Sequence, residues 1–304
     1  MATPSPARPA PRSSHRPRRR AAPLGGALAA ALVLLVTACG TGAAPSPTAG
    51  TLPEGSSLRS LSTDGTQREY RAYRPQGLKA AAPLVMVFHG YTWTASRTES
   101  EFGWNALADA ERFVVVYPEG LNEGFNAGRC CGISSDTEVD DVGAALAILN
   151  DVATAVPLDT DRLYATGFSN GGAMTYRMAC ETDRFAAFGP VAGGLVVDCK
   201  DAKPASILHV HGLADTQVPF EGDSDIWRTP TTELMAQWRK RDDCAKATTT
   251  DSGPTHLETS ACASGREVNL LTIDGLDHAW PTKADGVDAT STLWEFFRRH
   301  PRGH

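Results

Sequence analysis

No acidic residue occurs before Glu54, while residues 1–20 carry six arginines (Arg8, Arg12, Arg16, Arg18, Arg19 and Arg20). A leading segment with charge of one sign only does not read as folded protein. Long hydrophobic runs are also missing. The apolar stretch from about Ala21 to Val36 is short of the roughly 20 residues a spanning helix needs, and Gly25 and Gly26 weaken it further. A basic stretch, an apolar core and the small residues that end at Ala38 instead make a secretory signal, expected over residues 1–38. The rest of a twin-arginine motif is absent, so the Arg-Arg pairs carry little weight.

The last residues of that segment, Val36-Thr37-Ala38-Cys39, resemble the lipobox of bacterial lipoproteins. The resemblance implies that Cys39 is acylated and becomes the new N-terminus; the alternative is an ordinary signal peptide with a chance cysteine. Removing residues 1–38 takes away six positive charges and no negative ones, moving the formal charge from −6 to −12 over the remaining 266 residues. A surface this short of positive charge repels phosphate backbones, which excludes nucleic acid as a partner. It also keeps the body of the protein off an anionic membrane, leaving the lipid as the tether.

CxxC pairs are absent, which argues against a zinc site. Cys130, Cys131, Cys180, Cys199, Cys244 and Cys262 remain after Cys39, an even number in an exported chain, so three disulfides are expected. Cys244 with Cys262, bracketing a polar Thr-rich excursion, is the expected pair, and the other four pair among themselves. Residues 39–55, rich in Ala, Pro, Thr, Ser and Gly, bury almost nothing and read as a flexible tether. No internal repeat is visible, and residues 56–304 suit one domain.

Within that domain strands and helices alternate. Ser57–Thr63 and Gln67–Arg74 around Asp64-Gly65 read as a hairpin. Pro83–His89, Phe113–Tyr117, Leu163–Gly167, Ala186–Val191, Ile207–His211 and Val268–Ile273 read as strands. Helices are expected near Glu99–Ala110, Val139–Val156, Asn170–Cys180, Thr231–Arg241 and Ala289–Arg299. The pattern implies an α/β fold, a mostly parallel sheet covered on both faces, with its chemistry beyond the carboxyl ends of the strands.

Gly167-Phe168-Ser169-Asn170-Gly171 fits G-x-S-x-G between an apolar strand and a helix. A nucleophilic serine on such a strained turn must be exposed, and bulky neighbours would clash there. Its hydroxyl needs a base that is oriented by an acid, and in α/β-hydrolases these follow in the order Ser, Asp or Glu, His. Asp215, just past Ile207–His211, and His278, just past Val268–Ile273, stand at the right strand ends in that order. Asp277 adjoins His278 and would seldom face it. His209 and His211 share a strand face, a spacing that can suit a metal but is commoner in satisfied core histidines. His256 lies in the polar excursion, away from any strand end. Asp140 and Asp141 suit a helix first turn, and Asp159-Thr160-Asp161 reads as a solvated turn. The oxyanion needs two amides, expected from Asn170 at its helix N-terminus and from Tyr91 after His89-Gly90. Trp93 and Trp280 flank the site and either stack on an acyl group or sugar, or pack.

Phe88-His89-Gly90-Tyr91, Val115–Gly120, Asn126–Gly132, Val139–Gly143, Gly167–Gly172, His209–Gly212 with Asp215, and His278-Ala279-Trp280-Pro281 together resemble the LpqC-like poly(3-hydroxybutyrate) depolymerase family, grouped with feruloyl and acetylxylan esterases. The resemblance spans about Leu58 to Phe297. It implies an α/β-hydrolase fold and a Ser169–Asp215–His278 triad that needs no metal or organic cofactor. Polyester, or feruloylated or acetylated polysaccharide, is the implied substrate. Many members carry His-Gly-Cys or His-Gly-Gly where this chain has Tyr91, so the tyrosine ring is placed to shape the acyl pocket. Loops 120–136 and 221–226 are expected to line the cleft. A serine peptidase is the enzyme alternative, although there is no room for a sieving domain. A non-catalytic binder on a hydrolase scaffold is the other, although all three triad positions are filled.

Overall fold

A computed structural model of the chain describes residues 50–223 and 225–302. The expected signal segment and Cys39 lie outside the described residues. Ten strands form one sheet: β1 (Gly55–Thr63), β2 (Thr66–Arg74), β3 (Ala82–Phe88), β4 (Val114–Pro118), β5 (Leu158–Phe168), β6 (Ala187–Val191), β7 (Ser206–Gly212), β8 (Thr248–Ser252), β9 (Thr255–Thr259) and β10 (Val268–Ile273), in the order β1-β2-β4-β3-β5-β6-β7-β10-β9-β8. The central run from β4 to β10 is parallel, and an antiparallel hairpin closes each edge.

The parallel strands are apolar at successive positions because both faces are covered. In β3, Leu84, Met86 and Phe88 face one core while Val85 and Val87 face the other. The first core takes α4 (Asp141–Ala155), α5 (Asn170–Glu181) and α6 (Thr231–Arg241), with Ile148, Met174, Tyr176 and Trp238 buried. The second takes α1 (Ala95–Glu101), α2 (Trp104–Glu111) and α7 (Ala289–Arg299), through Trp104, Ala108, Leu293 and Phe297. α3 (Gly132–Asp136) is one short turn in the loop after β4.

Three elements differ from their expected form. The single helix expected at Glu99–Ala110 is two, because Gly103 takes a left-handed φ of 73° and caps α2. β5 begins at Leu158, five residues before the apolar core of the strand, through a half-buried stretch that periodicity does not mark. The polar excursion between Cys244 and Cys262 is the β8–β9 hairpin, which extends the sheet from β10. Cys244–Cys262 is bonded as expected, and the other four cysteines pair as Cys180–Cys199 and the neighbours Cys130–Cys131.

The chain leaves β3 for β4 on one side and returns to β5 on the other, so the strand order reverses at β3 and β5. Val87 and Phe88 lie beside Thr166 and Gly167 there. A crevice at such a reversal is where parallel sheets place their ligands.

Candidate active site

β5 ends at Phe168, and Ser169 makes the turn into α5 with φ 58° and ψ −117°. This conformation is costly for a residue with a side chain and persists only where its surroundings enforce it. They do so here. The Ser169 amide donates to the Val191 carbonyl at 2.9 Å, and the Ser169 carbonyl accepts from Ala173 at 2.9 Å. The turn also brings α5 hard against β3, so that a Cβ on Gly171 would stand 2.2 Å from the Phe88 carbonyl oxygen. Only glycine fits.

Asp215 and His278 converge from the loops after β7 and β10. The Asp215 carboxylate takes the Gln217 and Val218 amides on Oδ1 at 2.9 and 2.8 Å, and His278 Nδ1 on Oδ2 at 2.7 Å. A carboxylate only accepts, so Nδ1 carries the ring hydrogen and Nε2 is left as a base. Burial pushes the Asp215 carboxyl up, but the His211 ring N–H 3.4 Å from Oδ2 and the hydrogen bonds from His278 and the Val218 amide outweigh it and hold the group well below the usual carboxylate range. Asp215 therefore stays ionised beside the ring. Phe168, the residue before the serine, packs its ring 4.7 Å from that of His278, which brings the imidazole to the elbow. Among the described residues the Ser169 hydroxyl makes no hydrogen bond with His278. In substrate-free hydrolases this contact is commonly long and tightens on binding.

Asp277 is turned away from the imidazole: its Oδ1 accepts from the amides of Thr216 and His278 at 3.1 and 2.8 Å and from the Thr216 hydroxyl at 3.2 Å. His256 sits in the β8–β9 hairpin between Asp251 and Asp274, at 2.7 and 3.1 Å. Asp140 caps α4 by accepting the Gly143 amide at 2.8 Å. Asp141 is bound by the buried Arg68 guanidinium and by the Asn126 amide, so it ties the loop after β4 to β2 rather than serving the helix end alone. Asp159 accepts from Arg162 at 2.7 Å. Among the described residues no group of three or more His, Cys, Asp or Glu side chains could hold a metal ion.

The two expected oxyanion donors differ in how they are held. The Gly90 carbonyl accepts His89 Nδ1–H at 2.8 Å and the Trp93 amide at 3.1 Å, and His89 Nε2 accepts the Gly120 amide at 2.9 Å. N–H and C=O point in opposite directions across a trans peptide plane. With the Gly90 carbonyl turned to His89, the Tyr91 amide is turned the other way, and among the described residues no protein acceptor takes it. The sequence marks His89 only as part of the turn; its orienting role shows in the hydrogen bonds alone. The motif gives Asn170 a role only through its backbone, yet its side chain also works. Oδ1 accepts the Phe125 amide at 2.8 Å, and Nδ2 donates to the Phe125 carbonyl at 3.0 Å.

Of the two tryptophans, Trp280 belongs to packing. It is buried, stacks on Phe102 at 4.1 Å and 11°, and donates Nε1–H to Thr290 Oγ1 at 3.1 Å. Its ring is therefore not open to a substrate, which corrects the stacking alternative. Trp93 is half-buried beside Phe168 at 5.4 Å, with the Arg97 guanidinium 3.5 Å over its ring. The Tyr91 ring is 43% exposed and lies over Gly124 and Gly132 of the loop after β4.

A family model described as esterase PHB depolymerase matches residues 69–217. NocK of Nocardia uniformis subsp. tsuyamanensis, which carries the name of an esterase, is 32% identical over 253 residues, covering 73% of this chain and 73% of that protein. Feruloyl esterase B of Piromyces equi is 30% identical over 238 residues, 72% of this chain but 42% of that longer protein. Among solved structures, an acetyl xylan esterase from Aspergillus awamori shares the fold, with a TM-score of 0.61 at 17% identity over 80% of this chain and 99% of that one. With an α/β-hydrolase sheet and these relatives, the chain belongs to the esterase PHB depolymerase family of carboxylic ester hydrolases.

Proposed function

We propose that the chain is an extracytoplasmic serine esterase that cleaves its substrate through an acyl-enzyme on Ser169. The observation that carries this reading is the bond from His278 Nδ1 to the ionised Asp215, which leaves Nε2 free to act as base beside the elbow. In the first half-reaction His278 takes the Ser169 proton as Oγ attacks the ester carbonyl. The amides of Tyr91 and Asn170 receive the oxyanion, and His278 returns the proton to the departing alkoxide. Water then repeats the sequence on the acyl-enzyme. Polyester, or feruloylated or acetylated polysaccharide, are the substrate classes suggested by the names of the relatives. The secretory signal and lipobox-like Cys39 expected from the sequence support export, with the enzyme either held by lipid at the outer face of the cytoplasmic membrane or secreted.

Ser169→Ala is expected to reduce hydrolysis of p-nitrophenyl butyrate to near the uncatalysed rate, by about 10³-fold or more, with an unchanged melting curve. A fluorophosphonate probe should label the parent enzyme at Ser169 and leave the variant unlabelled. A variant that keeps its activity would falsify the serine mechanism.

A further inference from the structure

Two buried histidines have no place in the mechanism above. His209 and His211, two residues apart on β7, face the α5–α6 side of the sheet, with 0% and 1% of their surface exposed. The Tyr176 hydroxyl of α5 lies 2.7 Å from His209 Nδ1, His209 Nε2 lies 2.8 Å from His211 Nδ1, and His211 Nε2 lies 2.8 Å from the Val218 carbonyl. The same His211 Nε2 stands 3.4 Å from Asp215 Oδ2, the oxygen that accepts from His278.

The direction of this chain follows from its last acceptor. A carbonyl oxygen cannot donate, so His211 Nε2 carries its hydrogen. With one hydrogen on each ring, His211 Nδ1 accepts from His209 Nε2–H, and His209 Nδ1 accepts from the Tyr176 hydroxyl. Burial, with a smaller contribution from His211, holds His209 far below the usual imidazole range and so keeps it neutral. The far end is closed. Tyr176 is fully buried, with its hydroxyl 3.7 Å from Met235 Sδ, and gives no exit for a proton to solvent. The chain cannot conduct; it can only orient and polarise.

We propose that His211 is a positioning residue for the catalytic acid, fixed in place by the one-way hydrogen-bond chain that starts at Tyr176 and passes through His209. The inference rests on the Ser169–His278–Asp215 reading. His211 acts on the acid from two directions. Its Nε2–H holds the Val218 carbonyl while the Val218 amide donates to Asp215 Oδ1 at 2.8 Å, so the 215–218 turn is clamped at both ends. The same N–H faces Oδ2 and lowers its basicity. The other groups around Asp215 are His278 itself and Asp277, the latter held by backbone amides.

Losing the His211 hydrogen leaves a more basic carboxylate, which stabilises the His278 imidazolium. His211→Phe is expected to lower kcat on p-nitrophenyl butyrate by about tenfold, a fraction of the 10²–10⁴ a positioned base supplies. KM should stay within about twofold, and the acidic limb of the kcat/KM profile should move up by about half a pH unit. His211→Gln, which keeps an N–H donor, should recover most of the activity and the original limb. Tyr176→Phe should shift the limb in the same direction by less, and it carries the test should His211→Phe fail to fold. An unmoved limb in the folded variants overturns the proposal. So does a loss of rate that is uniform with pH and tracks a lower melting temperature. Ser169→Ala separates the two readings. An active Ser169→Ala overturns both, whereas an inactive Ser169→Ala beside an unshifted His211→Phe profile removes this inference alone.

Discussion

The two oxygens of Asp215 do different jobs. Oδ1 is bound by two backbone amides and fixes the carboxylate in its loop, while Oδ2 is turned to the imidazole. Asp215→Asn would keep the shape of the group and reverse its chemistry. An amide nitrogen in the place of Oδ2 cannot accept from His278 Nδ1, so the ring is driven to the tautomer with its hydrogen on Nε2, where no lone pair is left for the serine. We expect kcat to fall about 10³–10⁴-fold with the fold intact, measured as loss of the p-nitrophenolate burst. A variant within tenfold of the parent would mean that another group holds the ring. The sequence marks these residues because the motif demands a particular turn and because acid and base stand just past apolar strands. It does not mark the histidine chain, since the spacing of His209 and His211 shows only a shared face. Their partner Tyr176 lies on another element, 33 residues earlier than His209.

At the scale of elements, the site depends on how the loop after β4 is held to the elbow helix. Asn170, the first residue of α5, pairs with both backbone groups of Phe125, and the Phe125 side chain is itself packed against His89 at 4.5 Å. Asn170→Ala leaves the oxyanion amide in place but strands the buried Phe125 N–H, while the Phe125 carbonyl still accepts the Ala127 and Cys131 amides at 3.0 and 3.2 Å. That stranded N–H costs about 1–3 kcal/mol. The melting temperature should drop by several degrees, roughly 2–4 °C per kcal/mol in a domain of this size, and kcat should fall although the fluorophosphonate probe still labels Ser169. An unchanged melting curve would show that the side chain does not hold the loop. Element boundaries were legible where burial is two-sided, as in β3, β7 and β10, because both faces force a continuous apolar run. β8 was not legible, since all five of its residues are exposed and neither an apolar run nor an alternation marks it. The split between α1 and α2 was hidden for another reason: it hangs on the backbone angle of Gly103, and glycine inside a helical pattern does not announce whether it will break it.

At the scale of the whole molecule, the catalytic Asp215 and the buried Asp242 respond to pH with opposite signs. Asp215 sits well below its ordinary range despite burial, because His211, His278 and the Val218 amide bind its charged form. Its contribution to stability is present above the unfolded carboxylate value near 3.9 and is lost as pH falls through the folded one. Asp242 is the reverse. It lies at the end of α6, 1% exposed, with Oδ1 accepting from Arg266 Nε at 2.8 Å and Oδ2 without a partner among the described residues. Burial pushes its carboxyl up to about 6, against the pull of Arg266. A raised carboxyl binds its proton more tightly folded than unfolded, so its stabilising effect is complete below about 3.9 and is lost as pH rises through about 6. Between those values the enzyme gives up on the order of 2 kcal/mol at this one residue as the medium becomes less acidic. Asp242→Asn, neutral throughout, removes that slope. Urea unfolding of parent and variant at several pH values between 4 and 7 should therefore show the parent losing ground to the variant as pH rises, with the difference levelling off above the Asp242 transition. Parallel curves would mean that the carboxyl is ionised over the whole range and that Arg266 outweighs burial.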